Sequence, residues 1–359
     1  MTAQQTIQPI GVRKYHGLQI LRITAACMVL LTHSTYYASE RLDRHFPIWG
    51  KGATGVEIFF VLSGFVMIYS SLKLINDPNG WKIFAERRIV RIVPIYWIAT
   101  SVKVLALVFT TGYILHTKFN VLQVVESYLF LPVRGVEGDI TPVMGVGWTL
   151  NFEMFFYFLF TLALFFRVNV YKFVGTVLAV LAFGAFFRKA EWPAISFYLD
   201  TKVLLFFYGM IIASLCLAGK HLPKSIAIPL LCFGFAGLAG PWAFLSQLHS
   251  LPEEIAAAMV VYSAASLEDL LTRIPRFILF AADASYVIYL FHPFIAPAVP
   301  VALLRLHPMH PWLSVACSVF LALGGGCLIH RFIEAPITAW FRDHLLVGER
   351  KIIHLVATV

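Results

Sequence analysis

Residues 21–33 read LRITAACMVLLTH, and the reading of this stretch decides the fold. It is apolar enough to lie in a lipid bilayer, yet Arg22 opens it and His33 closes it. Extended to about residues 18–38, it supplies the roughly 20 residues needed to cross about 30 Å of hydrocarbon. The whole chain shares this character. Its 359 residues are 59% hydrophobic and 13% charged, against about 25% charged in soluble domains. That composition lies outside the globular range, and the expected class is an all-α, polytopic membrane protein.

Windows of span length give ten apolar segments, near residues 18–38, 53–72, 92–112, 146–166, 170–187, 197–217, 226–245, 254–270, 276–298 and 311–333. The eighth is the weakest, because it is short and ends in Glu268 and Asp269. Alternating the loops from a cytoplasmic N-terminus puts 18 Lys and Arg residues inside and 9 outside. The positive-inside rule then places both termini in the cytoplasm. The expected organisation is a cytoplasmic segment 1–17, a membrane domain 18–342 and a cytoplasmic tail 343–359. The longest connection, 113–145, falls outside and carries VLQVVESYLFLPV, which reads as an interfacial or re-entrant segment. Because the basic residues sit in short clusters between apolar runs, no nucleic-acid partner is expected despite the net charge of +9. The five cysteines lie in apolar segments without C-x-x-C spacing and read as packing residues, not as a disulfide framework or a metal site. Arg22 interrupts the first apolar run, so that run reads as retained rather than as a cleaved signal peptide.

An ionisable group at bilayer depth is costly unless it is paired or faces a polar cavity. Arg22 and His33 are eleven residues apart, which at about 100° per residue is about 20° past three full turns. They therefore share one helix face, about 16 Å apart along the axis. The second segment, GVEIFFVLSGFVMIY, carries Glu57 near its outer end, with Gly64 read as a close-packing position. Arg87, Arg88 and Arg91 crowd one turn before the third segment; such a cluster suits topological anchoring, and equally a polyphosphate ligand. Asn151 and Glu153 follow Trp148 in an otherwise apolar fourth segment. In the ninth, Ser285, Tyr289 and His292 share a face beside Asp283 and Tyr286, and Pro293 is expected to kink the helix there. Glu334 and Pro336 mark the cytoplasmic boundary of the tenth. Each residue has a plain structural explanation alone; together they indicate a polar chamber suited to general-base chemistry on an acyl group or to proton-coupled transport.

In these motifs the chain resembles the acyltransferase-3 family of bacterial integral membrane acyltransferases, and in particular its exopolysaccharide and nodulation-factor acetyltransferase branch. Arg22 and His33 match the family's basic residue and histidine in the first span. Glu57 lies in the second-span motif, and RRIVRIVPIYW carries Arg88 and Arg91 with Arg87 beside them. WTLNFEMFFY carries Trp148 and Glu153, SYVIYLFHPF carries Ser285, Tyr286 and His292, and FIEAPIT carries Glu334 and Pro336. The sixth segment departs from the pattern. Where the family has an arginine, Lys202 lies nearby, leaving the contact from that helix open.

The resemblance implies O-acylation of a surface glycan or its lipid-linked precursor in the bacterial inner membrane. The donor would be a cytoplasmic acyl-CoA, acetyl or succinyl, serving as co-substrate with no permanently bound cofactor. Arg22, Arg87, Arg88 and Arg91 are the expected donor-binding residues. His33 is the expected base or acyl acceptor, oriented by Glu153 or Glu57. Trp148, Asn151, Ser285, Tyr286, His292 and Glu334 are expected to touch substrate or support the site. Membrane lipids and polysaccharide assembly proteins are the other expected partners. No catalytic domain is read after the tenth span, so transfer is expected to be completed in the membrane domain or handed to a partner. A proton-coupled exporter of a glycan or lipid is the competing expectation.

Overall fold

The computed structural model describes residues 15–109, 120–135, 138–240, 251–271, 273–306 and 310–345. Most of the 1–17 segment, most of the tail, residues 113–119 and 136–137 of the long connection, and the ends 110–112 and 241–245 of the third and seventh segments lie outside the described residues. Among the described residues the chain is all-helical, with a single isolated β-bridge between Arg134 and Ile140. The helices are α1 (His16–Arg41), α2 (Gly55–Ser71), α3 (Gly80–Phe109), α4 (Val121–Tyr128), α5 (Trp148–Phe165), α6 (Val170–Ala185) and α7 (Leu204–Leu217). They continue with α8 (Lys224–Ala239), α9 (Leu251–Ser266), α10 (Arg276–Asp283), α11 (Ser285–Ile295), α12 (Ala298–Leu306), α13 (Pro311–Ile329) and α14 (Ala335–Leu345).

Among the described residues, six helical runs are long and apolar enough to cross a membrane: His16–Arg41, Gly50–Ser71, Gly80–Phe109, Gly145–Phe165, Ser285–Leu303 and Pro311–His344. The fifth to eighth expected segments form shorter helices, α6 to α9, of 14 to 16 residues. At 1.5 Å per residue these cover about 21–24 Å, less than a full bilayer core of about 30 Å. The 30 residues of α3 run about 45 Å, so the arginine cluster belongs to the spanning helix itself. The ninth segment differs from expectation. It is divided at Ala284 into α10 and α11, so that the apolar run begins at Ser285 rather than 276, and Pro293 lies inside α11. The expected interfacial segment is the eight-residue α4, capped by Asn120. It is tied to α3 by Trp97 Nε1 donating to the Tyr128 carbonyl at 2.9 Å.

Close helix approach depends on small residues, as it does generally where lipid gives no hydrophobic drive to association. At the crossing of α2 and α7, a Cβ on Gly64 would stand 2.0 Å from the Phe206 carbonyl oxygen, and one on Gly209 would stand 2.0 Å from that of Val61. Gly64 is thus a packing position, as its sequence context predicts. Polar side chains set the ends of the bundle. The carboxylate of Glu268 accepts the backbone N–H groups of His16 and Gly17 at 2.7 and 2.9 Å. It thereby caps the positive end of α1 from 251 residues away. The acidic end that weakened the eighth segment as a span is this cap. Thr201 Oγ1 donates to buried Glu254 at 2.6 Å, joining the approach to α7 with the first turn of α9.

Candidate functional site

α11 brings His292 to α1. His33 Nδ1 lies 2.8 Å from His292 Nε2, with the rings stacked 4.9 Å apart at 24°. His292 Nδ1 lies 2.7 Å from the Tyr289 carbonyl oxygen. Sequence explains why that carbonyl is available. Its usual helical donor is the N–H of residue 293, and Pro293 has none. The partners then assign the neutral tautomers: a carbonyl only accepts, so His292 carries its proton on Nδ1 and accepts at Nε2. His33 donates from Nδ1, and its Nε2 keeps a lone pair.

One turn before His292, Tyr289 borders a cavity of about 100 Å³ enclosed by α1, α2, α3, α5 and α11. Its hydroxyl meets Thr149 Oγ1 at 3.0 Å and donates to the Val146 carbonyl at 3.0 Å. Arg22, Arg88, Arg91, Glu153, Ser285 and Tyr286 all line this cavity. On α3, Arg88 and Arg91 are three apart and face inward together, whereas Arg87 is absent from the lining. Arg88 is buried, donates to Ser70 Oγ at 2.8 Å, and lies over the rings of Phe84 and Tyr157. The side chains of Arg22 and Arg91 make no hydrogen bond or ion pair with another described residue. Arg22 feels Arg91 on one side and Asp283, Glu153 and Glu334 on the other. Among the lining residues the three guanidiniums face one carboxylate, so the cavity is electropositive.

That carboxylate, Glu153, accepts a bond from Ser63 Oγ at 3.0 Å and a short one from Tyr157, both at Oε1. Tyr286 donates to the Ile92 carbonyl at 3.0 Å, and Ser285 Oγ is buried without a partner. Glu57 is elsewhere: its Oε1 receives Lys202 Nζ at 2.6 Å. The expectation that Glu153 or Glu57 orients the His33 ring is therefore corrected. Glu153 is bonded to Ser63 of α2 and Tyr157 of its own helix, Glu57 to Lys202, and His292 holds the ring. Lys202, noted beside the departure in the sixth segment, is thus a partner of α2.

His292, next to the lining residue Tyr289, and His33 beside it do not line the cavity themselves, and the remaining expected residues also fall outside it. Trp148 packs edge-on against Phe60 and Phe152. Asn151 is buried, with Oδ1 unpartnered. Glu334 bonds His330 across a π-helical turn between α13 and α14. Sequence reading missed Tyr157 and Thr149 as cavity residues, while Tyr289 lines it as its shared face with Ser285 indicated. The signal for Tyr157 was present, four residues after Glu153 on one helix face; that for Thr149 was not, since its partner comes from α11.

The sequence model of the acyltransferase-3 family, described as an acyltransferase domain, matches residues 15–331. Exopolysaccharide production protein ExoZ of Rhizobium meliloti (strain 1021) is 32% identical over 312 residues, covering 84% of this chain and 93% of that protein. Nodulation protein 10 of Rhizobium leguminosarum bv. viciae is 27% identical over 322 residues, covering 77% of this chain and 82% of that protein. No solved structure matches the chain.

Proposed function

This chain belongs to the acyltransferase-3 family, and on that premise we propose that it is an inner-membrane O-acyltransferase of exopolysaccharide synthesis. It moves an acetyl group from cytoplasmic acetyl-CoA to a sugar hydroxyl of the polymer or its lipid-linked precursor. In this reading α6 to α9 complete ten spans and both termini are cytoplasmic. Glu268 beside the start of α1, and Thr201 beside the start of α9, have the alternation this requires.

The observation that carries the reading is the cavity walled by Arg22, Arg88 and Arg91 with a single acid. A proton relay has no use for three guanidiniums, whereas the phosphates of a coenzyme A donor do. Arg22 and Arg91 hold those phosphates, and Arg88, fixed by Ser70, backs them. The thioester end then points toward Tyr289 and the histidine pair, along the roughly 16 Å that separates Arg22 from His33 on α1. His33 Nε2 takes the proton of the sugar hydroxyl as its oxygen attacks the thioester carbonyl. The C–S bond breaks, and the coenzyme A thiolate recovers the proton from the imidazolium. His292 acts through His33, as a positioning residue: its Nε2 accepts the His33 Nδ1 proton and so turns the lone pair outward. Glu153, braced by Ser63 and Tyr157, sets the charge of the chamber between the arginines and the histidines.

Mass spectrometry of the surface polysaccharide from a deletion strain tests this. Loss of the acetyl mass from polymer that is still exported is the expected result. Loss of the polymer itself favours the exporter, and loss of a succinyl mass moves the donor class.

A further inference from the structure

A second cavity, of about 390 Å³, lies between the end of α6 and the 3-10 turn Thr201–Val203 that leads into α7. It is within the range of roughly 300–1,000 Å³ typical of small-molecule sites. Its charged wall is Arg188, Lys189, Asp200 and Lys202. Lys202 pairs with Glu57 in the first turn of α2, while Arg88 of the donor cavity pairs with Ser70 at its other end. Thirteen residues of α2, about 20 Å, thus separate the two sites along the bundle.

Of the three cations in this wall, Lys202 is paired and the other two are not. Asp200 is occupied in accepting the Lys202 backbone N–H at 2.9 Å, and Lys202 in bonding Glu57. The side chains of Arg188 and Lys189 make no hydrogen bond or ion pair with another described residue. Their segment is nevertheless held in place, since Arg134 donates to the Ala190 and Trp192 carbonyls at 2.8 Å each and to that of Gly138 at 2.7 Å. In the topology proposed above this is the extracytoplasmic face, where the positive-inside rule disfavours adjacent basic residues. Topogenesis therefore does not account for Arg188 and Lys189.

We infer that this outer pocket binds an anionic group, a carboxylate or phosphate, of the glycan acceptor, with Arg188 and Lys189 as its cations. The inference rests on the transferase reading for the identity of its ligand, and on the pocket alone for its charge preference. Arginine and lysine at one wall bind either anion through charge-assisted hydrogen bonds.

Full-length protein in phosphatidylcholine nanodiscs, titrated with tetragalacturonate, maltotetraose, inorganic diphosphate and acetyl-CoA, provides the test. Tetragalacturonate or diphosphate is expected to bind more tightly than maltotetraose, and whichever binds identifies the carboxylate or the phosphate as the recognised anion. In R188Q/K189Q that binding is expected to fall about tenfold, to return in R188K/K189R, and to leave acetyl-CoA affinity unchanged, which also shows the variant is folded. Equal binding of the two tetrasaccharides, or wild-type binding by R188Q/K189Q, overturns the inference. So does loss of the preference when phosphatidylglycerol is added to the nanodiscs, because the pocket would then be a lipid headgroup site. A wild-type protein that prefers the acidic ligand through Arg188 and Lys189 yet binds no acetyl-CoA sinks the transferase reading and leaves the pocket's charge preference standing.

Discussion

Two adjacent residues of α2 face opposite kinds of interior. Gly64 meets the backbone of α7 so closely that no side chain fits, while Ser63 donates to Glu153 across a cavity lined by three arginines. About 100° of helical rotation separates them. The seam is a close backbone-to-backbone approach. The chamber is polar and leaves two guanidiniums without a protein partner. The contrast teaches that α2 is both a structural strut and a wall of the candidate site, and that substitutions on its two faces and those of its neighbours should divide into losses of folding and losses of the proposed chemistry.

The largest effect expected is on the chamber side. His33→Ala should reduce acetyl transfer by about 10²- to 10⁴-fold, the usual worth of a general base, with membrane abundance unchanged; a fully active variant in a purified transfer assay would remove His33 from the reaction. Next, Arg91→Ala should weaken acetyl-CoA binding by about tenfold or more, the worth of a charge-assisted hydrogen bond, and leave acceptor KM alone. Titration calorimetry with acetyl-CoA reads this directly, and an unchanged Kd breaks the phosphate role. On the seam, Gly209→Val should cost about 1–3 kcal/mol through overpacking, lowering the detergent melting temperature while the folded fraction keeps its turnover per molecule. A loss of turnover without a loss of stability would erase the distinction between the two faces. The smallest effect is expected for Tyr157→Phe, which removes one hydrogen bond to Glu153, about 1 kcal/mol, and should slow transfer only a few-fold in the same assay.

What could be read from the chain follows from the reach of local periodicity. The seam was visible as Gly64 within an apolar helix, although α7 as its partner was not. In the chamber, the shared face of Arg22 and His33 and the Glu153–Tyr157 spacing are properties of single helices. The selection of Arg88 and Arg91 over Arg87 needed the rotation of α3 in the bundle. The role of Glu57 was misread for the same reason: a buried acid in sequence announces that it needs a partner, without saying which of several helices provides it.

The sequence alone therefore determined an all-helical membrane protein, the one-face alignment of Arg22 with His33, and, through Pro293, a free carbonyl at Tyr289. Covalent geometry and helical period fix these within one turn or one helix. Only the tertiary structure decided that His292 stands 2.8 Å from His33, 259 residues away, that Lys202 pairs with Glu57, and that Glu268 caps α1. Such pairs depend on how helices cross and rotate against one another, which glycine contacts and packed side chains throughout the bundle settle together and no single segment encodes.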